Sequence, residues 1–188
     1  MNITKIKADA RKAAFAARKA AHAPDASAAG CTNLLSILDE YRGQPIAGYM
    51  PIRTEIDILP AMAALSTDSP IGVPVILGEG QPLDFHRWTP GCALKDGPFG
   101  ARVPAQAEVI IPKVVILPLV AFDRNGFRLG YGGGFYDRTL ELLRSKGPVL
   151  AVGFAYAAQE MERIPIEPTD QRLDAMVTDT EIIRFSGS

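Results

Sequence analysis

Residues 117–138 read Leu117-Pro-Leu-Val-Ala-Phe-Asp-Arg-Asn-Gly-Phe-Arg-Leu-Gly-Tyr-Gly-Gly-Gly-Phe-Tyr-Asp-Arg138. An apolar run of the kind that forms a buried strand passes through an Asn-Gly turn into a cluster of glycines, and the cluster opens a helix. Glycines at a helix start leave backbone N–H groups open to an anion, and the helix dipole favours negative charge there. Arg128 precedes the glycines and Asp137 follows them in the first helical turn. A phosphate needs such a cradle, and a carboxylate beside it suits the phosphate's metal ion.

Outward from this stretch, strand and helix signals alternate. Upstream, residues 3–22 are dense in Ala, Lys and Arg and predict a helix. Residues 25–41 predict a second, with Leu34, Leu35, Ile37 and Leu38 as its apolar face. A short strand is expected over 45–50. Thr54 reads as an N-cap with Asp57 three residues later, opening a helix that carries Ile58, Leu59, Met62 and Leu65. Strands are expected over 71–77, where Pro74 disturbs the pattern, and over 83–88. Residues 89–108 read as a long surface loop, and 109–120 as an apolar run whose second half is a central strand. Downstream of the Asn125-Gly126 pair, which suits a type I′ hairpin, one helical face carries Phe135, Thr139, Leu142 and Leu143. Gly147-Pro148 ends that helix. Strands over 149–154 and near 175–178 complete the pattern of an α/β sheet covered on both faces.

The 188 residues fit one domain with a real core. A 47% apolar and 22% charged composition is that of an ordinary globular chain, and the net charge of −1 offers no general attraction for nucleic acid or anionic membrane. Cys31 and Cys92 stand in no CxxC pair, which fits a reducing, cytoplasmic setting. With only His22 and His86, a zinc site or a histidine-based triad is hard to assemble. The Ala-rich, charged N-terminus lacks the apolar core of a signal peptide, and no apolar run is long enough to span a bilayer.

The glycines satisfy neither common nucleotide motif. A dinucleotide fingerprint needs a strand directly before it, whereas a hairpin precedes this one, and Phe135 stands where its last Gly or Ala belongs. A P-loop needs Gly-Lys-Ser/Thr, which does not follow. The flanking Arg128 and Arg138 nevertheless offer guanidinium forks for phosphate oxygens, and Phe135 and Tyr136 offer rings for a planar ligand.

The run Phe122-Asp123-Arg124-x-Gly126-x-Arg128-Leu129-Gly130-x-Gly132-x-Gly134-Phe135-Tyr136-Asp137 closely resembles the signature of the 5-formyltetrahydrofolate cyclo-ligases. The resemblance extends over nearly the whole chain. Phe135 stands where many relatives carry Tyr, which keeps the ring and loses a hydroxyl. The resemblance implies a three-layer α/β/α fold with a mostly parallel central sheet, acting as one domain over 1–188. It implies ATP as co-substrate, Mg²⁺ as metal, and conversion of 5-formyltetrahydrofolate to 5,10-methenyltetrahydrofolate with release of ADP and phosphate. The expected partners are therefore small molecules, reduced folate and ATP, and the expected state is a monomer.

Lys7, Arg11 and Arg18 fall at i, i+4 and i+11, within roughly 40° of one another on a helix, while Lys5, Lys12 and Lys19 form a second stripe. A solvated basic helix would explain both. The resemblance selects Lys7 and Arg11 as ligands of ATP phosphates. It assigns Arg128 to the same charge or to the transition state, the backbone of Gly130, Tyr131, Gly132, Gly133 and Gly134 to the cradle, and Asp137 to Mg²⁺. Tyr136 would serve both substrates. Met50, Glu55 and Phe99 match the folate-contacting positions. Glu55 suits the amino and ring N–H edge of a pterin, though an acid near a helix start is also stabilised by the dipole. In the loop 164–174, Glu167 and Asp170 are further candidates for reaching the metal through water. A folate- or nucleotide-binding regulator on the same fold is the alternative. A sugar-phosphate isomerase or CoA-transferase would need a general base or nucleophilic glutamate that the sequence does not display.

Overall fold

In the central strands, side chains of odd and even position go to different cores, because successive residues of a strand face opposite sides of the sheet. The computed structural model describes residues 2–187, apart from the Phe99 side chain. Among these residues the helices are α1 (Ile3–Ala21), α2 (Pro24–Leu38), α3 (Leu59–Leu65) and α4 (Phe135–Lys146). The strands are β1 (Ile46–Ala47), β2 (Ile71–Ile76), β3 (Leu83–Trp88), β4 (Leu94–Asp96), β5 (Arg102–Pro104), β6 (Val114–Leu117), β7 (Ala121–Phe122), β8 (Arg128–Leu129), β9 (Leu150–Phe154), β10 (Ala175–Val177) and β11 (Ile182–Arg184). The main sheet runs β11-β10-β9-β6-β1-β2-β3. Its inner pairs are parallel, and β11 and β3 close it as antiparallel edges.

Ile46, Val114, Ile116, Val152, Phe154, Ala175 and Val177 pack with Leu34, Ile37 and Leu38 of α2 and Met62 and Leu65 of α3. Their neighbours Ala47, Val115, Leu117, Ala151 and Met176 pack on the opposite side with Leu140 of α4. This is the expected three-layer α/β/α arrangement around a mostly parallel sheet. α1 belongs to neither layer. It lays Ala14 on Val120, Ala121, Leu129 and Ile164, over the β7–β8 ribbon.

Several local expectations are corrected. No helix opens at Thr54. α3 begins at Leu59, where Pro60 suits the first turn and the Asp57 carboxylate accepts the Leu59 N–H at 2.9 Å. The Thr54 hydroxyl is taken instead by Arg18 Nε at 3.1 Å. Asn125-Gly126 does not form a type I′ turn, which needs positive φ at both residues. Only Gly126 has it, at 86°. Asp123 organises the longer loop: its Oδ1 accepts the N–H groups of Asn125 and Phe127, and its Oδ2 that of Ile164. On α4 Thr139 and Leu140 are buried and Phe135 and Leu143 pack against the core, but Leu142 is exposed. The loop at 89–108 contains the β4–β5 ribbon, and β11 adds an unexpected edge strand. Pro74 is tolerated because β1 pairs only with Ile71 and Gly72, so its missing N–H interrupts no parallel ladder. No helix among the described residues is long and apolar enough to cross a membrane.

Asp123 is buried, so replacing it strands three N–H groups at once. We expect Asp123→Ala to cost about 3 kcal/mol or more in urea unfolding with an unchanged m-value. A loss below about 1 kcal/mol would mean water replaces the carboxylate.

Candidate functional site

The chain leaves β1 toward β2 on one side and leaves β6 toward β9 on the other. Parallel neighbours whose connections diverge open a crevice at their carboxyl ends, the usual ligand position in such sheets. The segments following these two strands are 48–58 and 118–134, and they carry most of the residues singled out in the sequence.

The glycine loop reaches this crevice from β8. Gly132 has φ 105° and Gly134, the N-cap of α4, has φ 67°, conformations strained for any residue with a Cβ. Among the described residues, the N–H groups of 131–134 donate no hydrogen bond. The loop is thus an open set of donors at the positive end of α4. Arg11 lies over it: Nε donates to Gly130 O at 2.8 Å, and a Cβ on Gly132 would come within 3.4 Å of Nη2. Arg138 Nη2 donates to Gly133 O at 2.6 Å from the other side.

α1 turns the predicted stripe inward. Lys7 and Arg18 are buried, whereas Lys5 pairs with Asp9 on the surface and Lys12 and Lys19 are exposed. Lys7 does not stand free: Nζ donates to Glu167 Oε2 at 2.6 Å and Asp170 Oδ2 at 2.8 Å. Burial works against its charge, but the bonds to Asp170 and Glu167 outweigh that and hold the ammonium above the ordinary lysine pKa. Arg128, only 6% exposed, turns onto Asp137 Oδ1 at 2.7 Å and onto Gln171 O rather than toward the open N–H groups. Asp137 Oδ1 also accepts the Gln171 N–H at 2.8 Å, so both of its hydrogen bonds among the described residues fall on one oxygen.

This donor set fits Mg²⁺ only in a particular way. No group of three or more His, Cys, Asp or Glu among the described residues could hold a metal by itself. A hard cation that keeps several waters and takes one or two carboxylates plus phosphate oxygens needs no such cage. Asp137 beside open N–H donors provides that minimum.

Glu55 lies across the crevice, 4% exposed. Its Oε2 accepts Ile52 N–H at 2.9 Å and its Oε1 accepts the Tyr131 hydroxyl at 2.8 Å. Burial pushes its pKa above the ordinary glutamate value, against the opposing pull of Ile52, Tyr131, Arg18 and Arg53. The Tyr131 hydroxyl is pushed up to about 12 by burial and by the Glu55 charge. The Tyr136 hydroxyl is buried, without a partner, and its pKa is raised far above normal, first by burial and then by Glu55. Met50 is half-buried against the core at the end of β1. The backbone of Phe99 lies in a short 3-10 turn, Pro98–Gly100, but its side chain lies outside the described residues.

The structure therefore brings Arg11 onto the Gly130–Gly134 loop at the start of α4, which carries Tyr136 and Asp137, and ties Glu55 to the same loop through Tyr131, with Lys7 and Arg128 held by carboxylates. Sequence reasoning missed the Tyr131–Glu55 bond and the positive φ of Arg53, 54°, neither of which has a local signal. It also gave Arg18 no role beyond its stripe, although its spacing marks it.

A model described as the 5-formyltetrahydrofolate cyclo-ligase family matches residues 4–179. The chain is 33% identical over 149 residues to the 5-formyltetrahydrofolate cyclo-ligase of Mycolicibacterium smegmatis, covering 72% of this chain and 74% of that protein. It is 41% identical over 93 residues to the Haemophilus influenzae cyclo-ligase, a match that spans about half of each, 47% and 49%. The NMR structure of Aquifex aeolicus 5,10-methenyltetrahydrofolate synthetase superposes with a TM-score of 0.79 at 29% identity, covering 97% of this chain and 94% of that one. With its crevice, its open glycine loop and a match from residue 4 to residue 179, this chain belongs to the 5-formyltetrahydrofolate cyclo-ligase family.

Proposed function

We propose that this protein is an ATP- and Mg²⁺-dependent ligase that closes 5-formyltetrahydrofolate to 5,10-methenyltetrahydrofolate. The observation that carries the reading is the open, helix-capping glycine loop, flanked by Arg11 and Asp137, across the crevice from buried Glu55. The relatives named as cyclo-ligases support the choice of substrate.

The formyl oxygen attacks the γ-phosphorus of ATP and ADP leaves, giving an imidate phosphate. N10 of the folate then attacks the formyl carbon, gives up its proton, and phosphate departs with the C–O bond. No side-chain nucleophile is needed, so the protein's task is to hold two substrates in line and offset charge. The N–H groups of 131–134 cradle the phosphates. Arg11 neutralises triphosphate charge, and the protonated Lys7 adds to it once phosphate oxygens replace Glu167 and Asp170 at its ammonium. Arg128 fixes Asp137, whose carboxylate would hold Mg²⁺, an ion that would supply charge neutralisation for the phosphate oxygens. Glu55 accepts the N–H edge of the pterin, while Met50 and Tyr136 enclose it.

The test is to mix pure protein with 5-formyltetrahydrofolate, ATP and Mg²⁺ and follow methenyl absorbance. Product is expected only when all three are present and is lost on chelation. Product without ATP, or none from folded protein, sinks the ligase reading.

The inward stripe of α1 makes a directional prediction. Lys7→Ala and Arg11→Ala should each lower kcat/KM for ATP by about tenfold or more, since charge-assisted contacts away from water are worth roughly 1.5–3 kcal/mol. Lys5→Ala and Lys12→Ala should leave it within about twofold, as exposed charges contribute little. Equal losses from both stripes would reduce the effect to diffuse charge.

Glu55 sets a pH dependence. The carboxylate, not the acid, accepts the pterin N–H groups, so kcat/KM for the folate should fall as pH drops through the Glu55 pKa. Because folding raises that pKa, the acid limb should lie above the range of an exposed glutamate. Glu55→Gln should be weaker throughout and lack the limb. A limb that survives in Glu55→Gln belongs to another group.

A further inference from the structure

Arg18 is a guanidinium 1% exposed. Its Nε donates to Thr54 and its Nη1 donates to the Tyr131 hydroxyl at 2.8 Å, but its Nη2 is buried and has no partner. Guanidinium has five N–H donors and no acceptor. Leaving one of its nitrogens unbonded away from water is costly, more so for a charged group than for a neutral one. An arginine buried only for packing would have its fork satisfied. Here the unused donor belongs to a guanidinium that is one hydroxyl away from Glu55.

The Tyr131 hydroxyl joins the two buried charges. It accepts from Arg18 Nη1 and donates to Glu55 Oε1, each at 2.8 Å. The site therefore offers one buried donor and one buried acceptor side by side, bridged by a group that plays both parts. A lactam, an N–H next to a C=O, presents the same pair on neighbouring atoms: its N–H suits the carboxylate and its oxygen suits the guanidinium. Tyr131 belongs to the glycine loop and is 41% exposed, so it can leave without opening the core. Arg53, whose guanidinium lies 5.7 Å from the Tyr131 ring centre, holds a left-handed φ of 54° next to this bridge. Backbone strain of that kind persists where surrounding contacts impose it, as at ligand clamps.

We propose that Arg18 and Glu55 together recognise the lactam edge of the pterin ring, Arg18 donating to its carbonyl oxygen, and that the Tyr131 hydroxyl occupies this pair until substrate displaces it. The inference rests on the folate reading of the site and adds Arg18 as the residue that distinguishes a 4-oxo pterin from a 4-amino one. Displacement also frees the glycine loop from Glu55, so arrival of the folate is felt at the phosphate cradle.

The experiment measures binding of 5-formyltetrahydrofolate and its 4-amino-4-deoxy analogue to the whole protein and to two variants. The wild type should prefer the 4-oxo ligand by at least about tenfold, because a buried donor facing an amino group goes unpaired. In Arg18→Met the preference should collapse or invert, a ratio that a merely structural loss would not move. In Tyr131→Phe the ring stays and the bridge goes, so the 4-oxo ligand should bind about twofold to tenfold more tightly. A preference retained in folded Arg18→Met overturns the proposal. If Arg18→Met does not fold, the Tyr131→Phe arm decides, and weaker binding of the 4-oxo ligand there overturns it. A wild type that binds neither pterin overturns the folate reading itself, whereas one that binds with preference while the variants misbehave overturns only the pairing.

Discussion

β1 and β6 run side by side in parallel, yet the chain departs from them in opposite directions. That divergence is the constraint on which the rest depends. No crossover covers the gap between their carboxyl ends, so two irregular segments meet there whose backbone groups are not consumed by a ladder. The segment after β1 brings Glu55, and the segment after β6 brings the β7–β8 ribbon and the glycine loop. α1 then crosses the ribbon rather than joining a layer, which brings basic side chains to the gap from a third direction.

Charge burial around the gap is arranged in local pairs. Glu55, Lys7, Arg18 and Asp123 are all buried, and a lone buried charge would be prohibitive. Asp123 is satisfied by three backbone N–H groups and does the work of a fastener for the ribbon. Lys7 is balanced by two carboxylates. Arg18 and Glu55 are balanced through a tyrosine hydroxyl, which is the weakest of the three arrangements because it leaves a guanidinium nitrogen unbonded. The satisfied groups stabilise the scaffold, and the one incompletely satisfied charge shares the Tyr131 hydroxyl with Glu55.

The layer architecture was legible because alternating apolar strands and amphipathic helices have strong periods. The glycine loop was legible because glycines before a helix have few other uses. What failed had weak or competing signals. Thr54 reads as a cap, but a tertiary partner, Arg18, takes its hydroxyl, and Pro60 sets the helix start instead. Asn-Gly reads as a tight turn, but Asp123 two residues earlier organises a wider one. Leu142 and Leu140 both fit a helical face, and only the position of the sheet decides between them. The pairing of Lys7 with Glu167 and Asp170 could not be read at all, since nothing local links residues so far apart.

That pairing spans 160 and 163 positions of the chain. α1 leaves the ribosome well before the carboxylates that neutralise its lysine. Closing so long a loop is entropically slow relative to the local turns. The Arg11–Gly130 bond can form as soon as the glycines are made, whereas the lysine on the same helix face gains its counter-charges only once the loop 164–174 has followed.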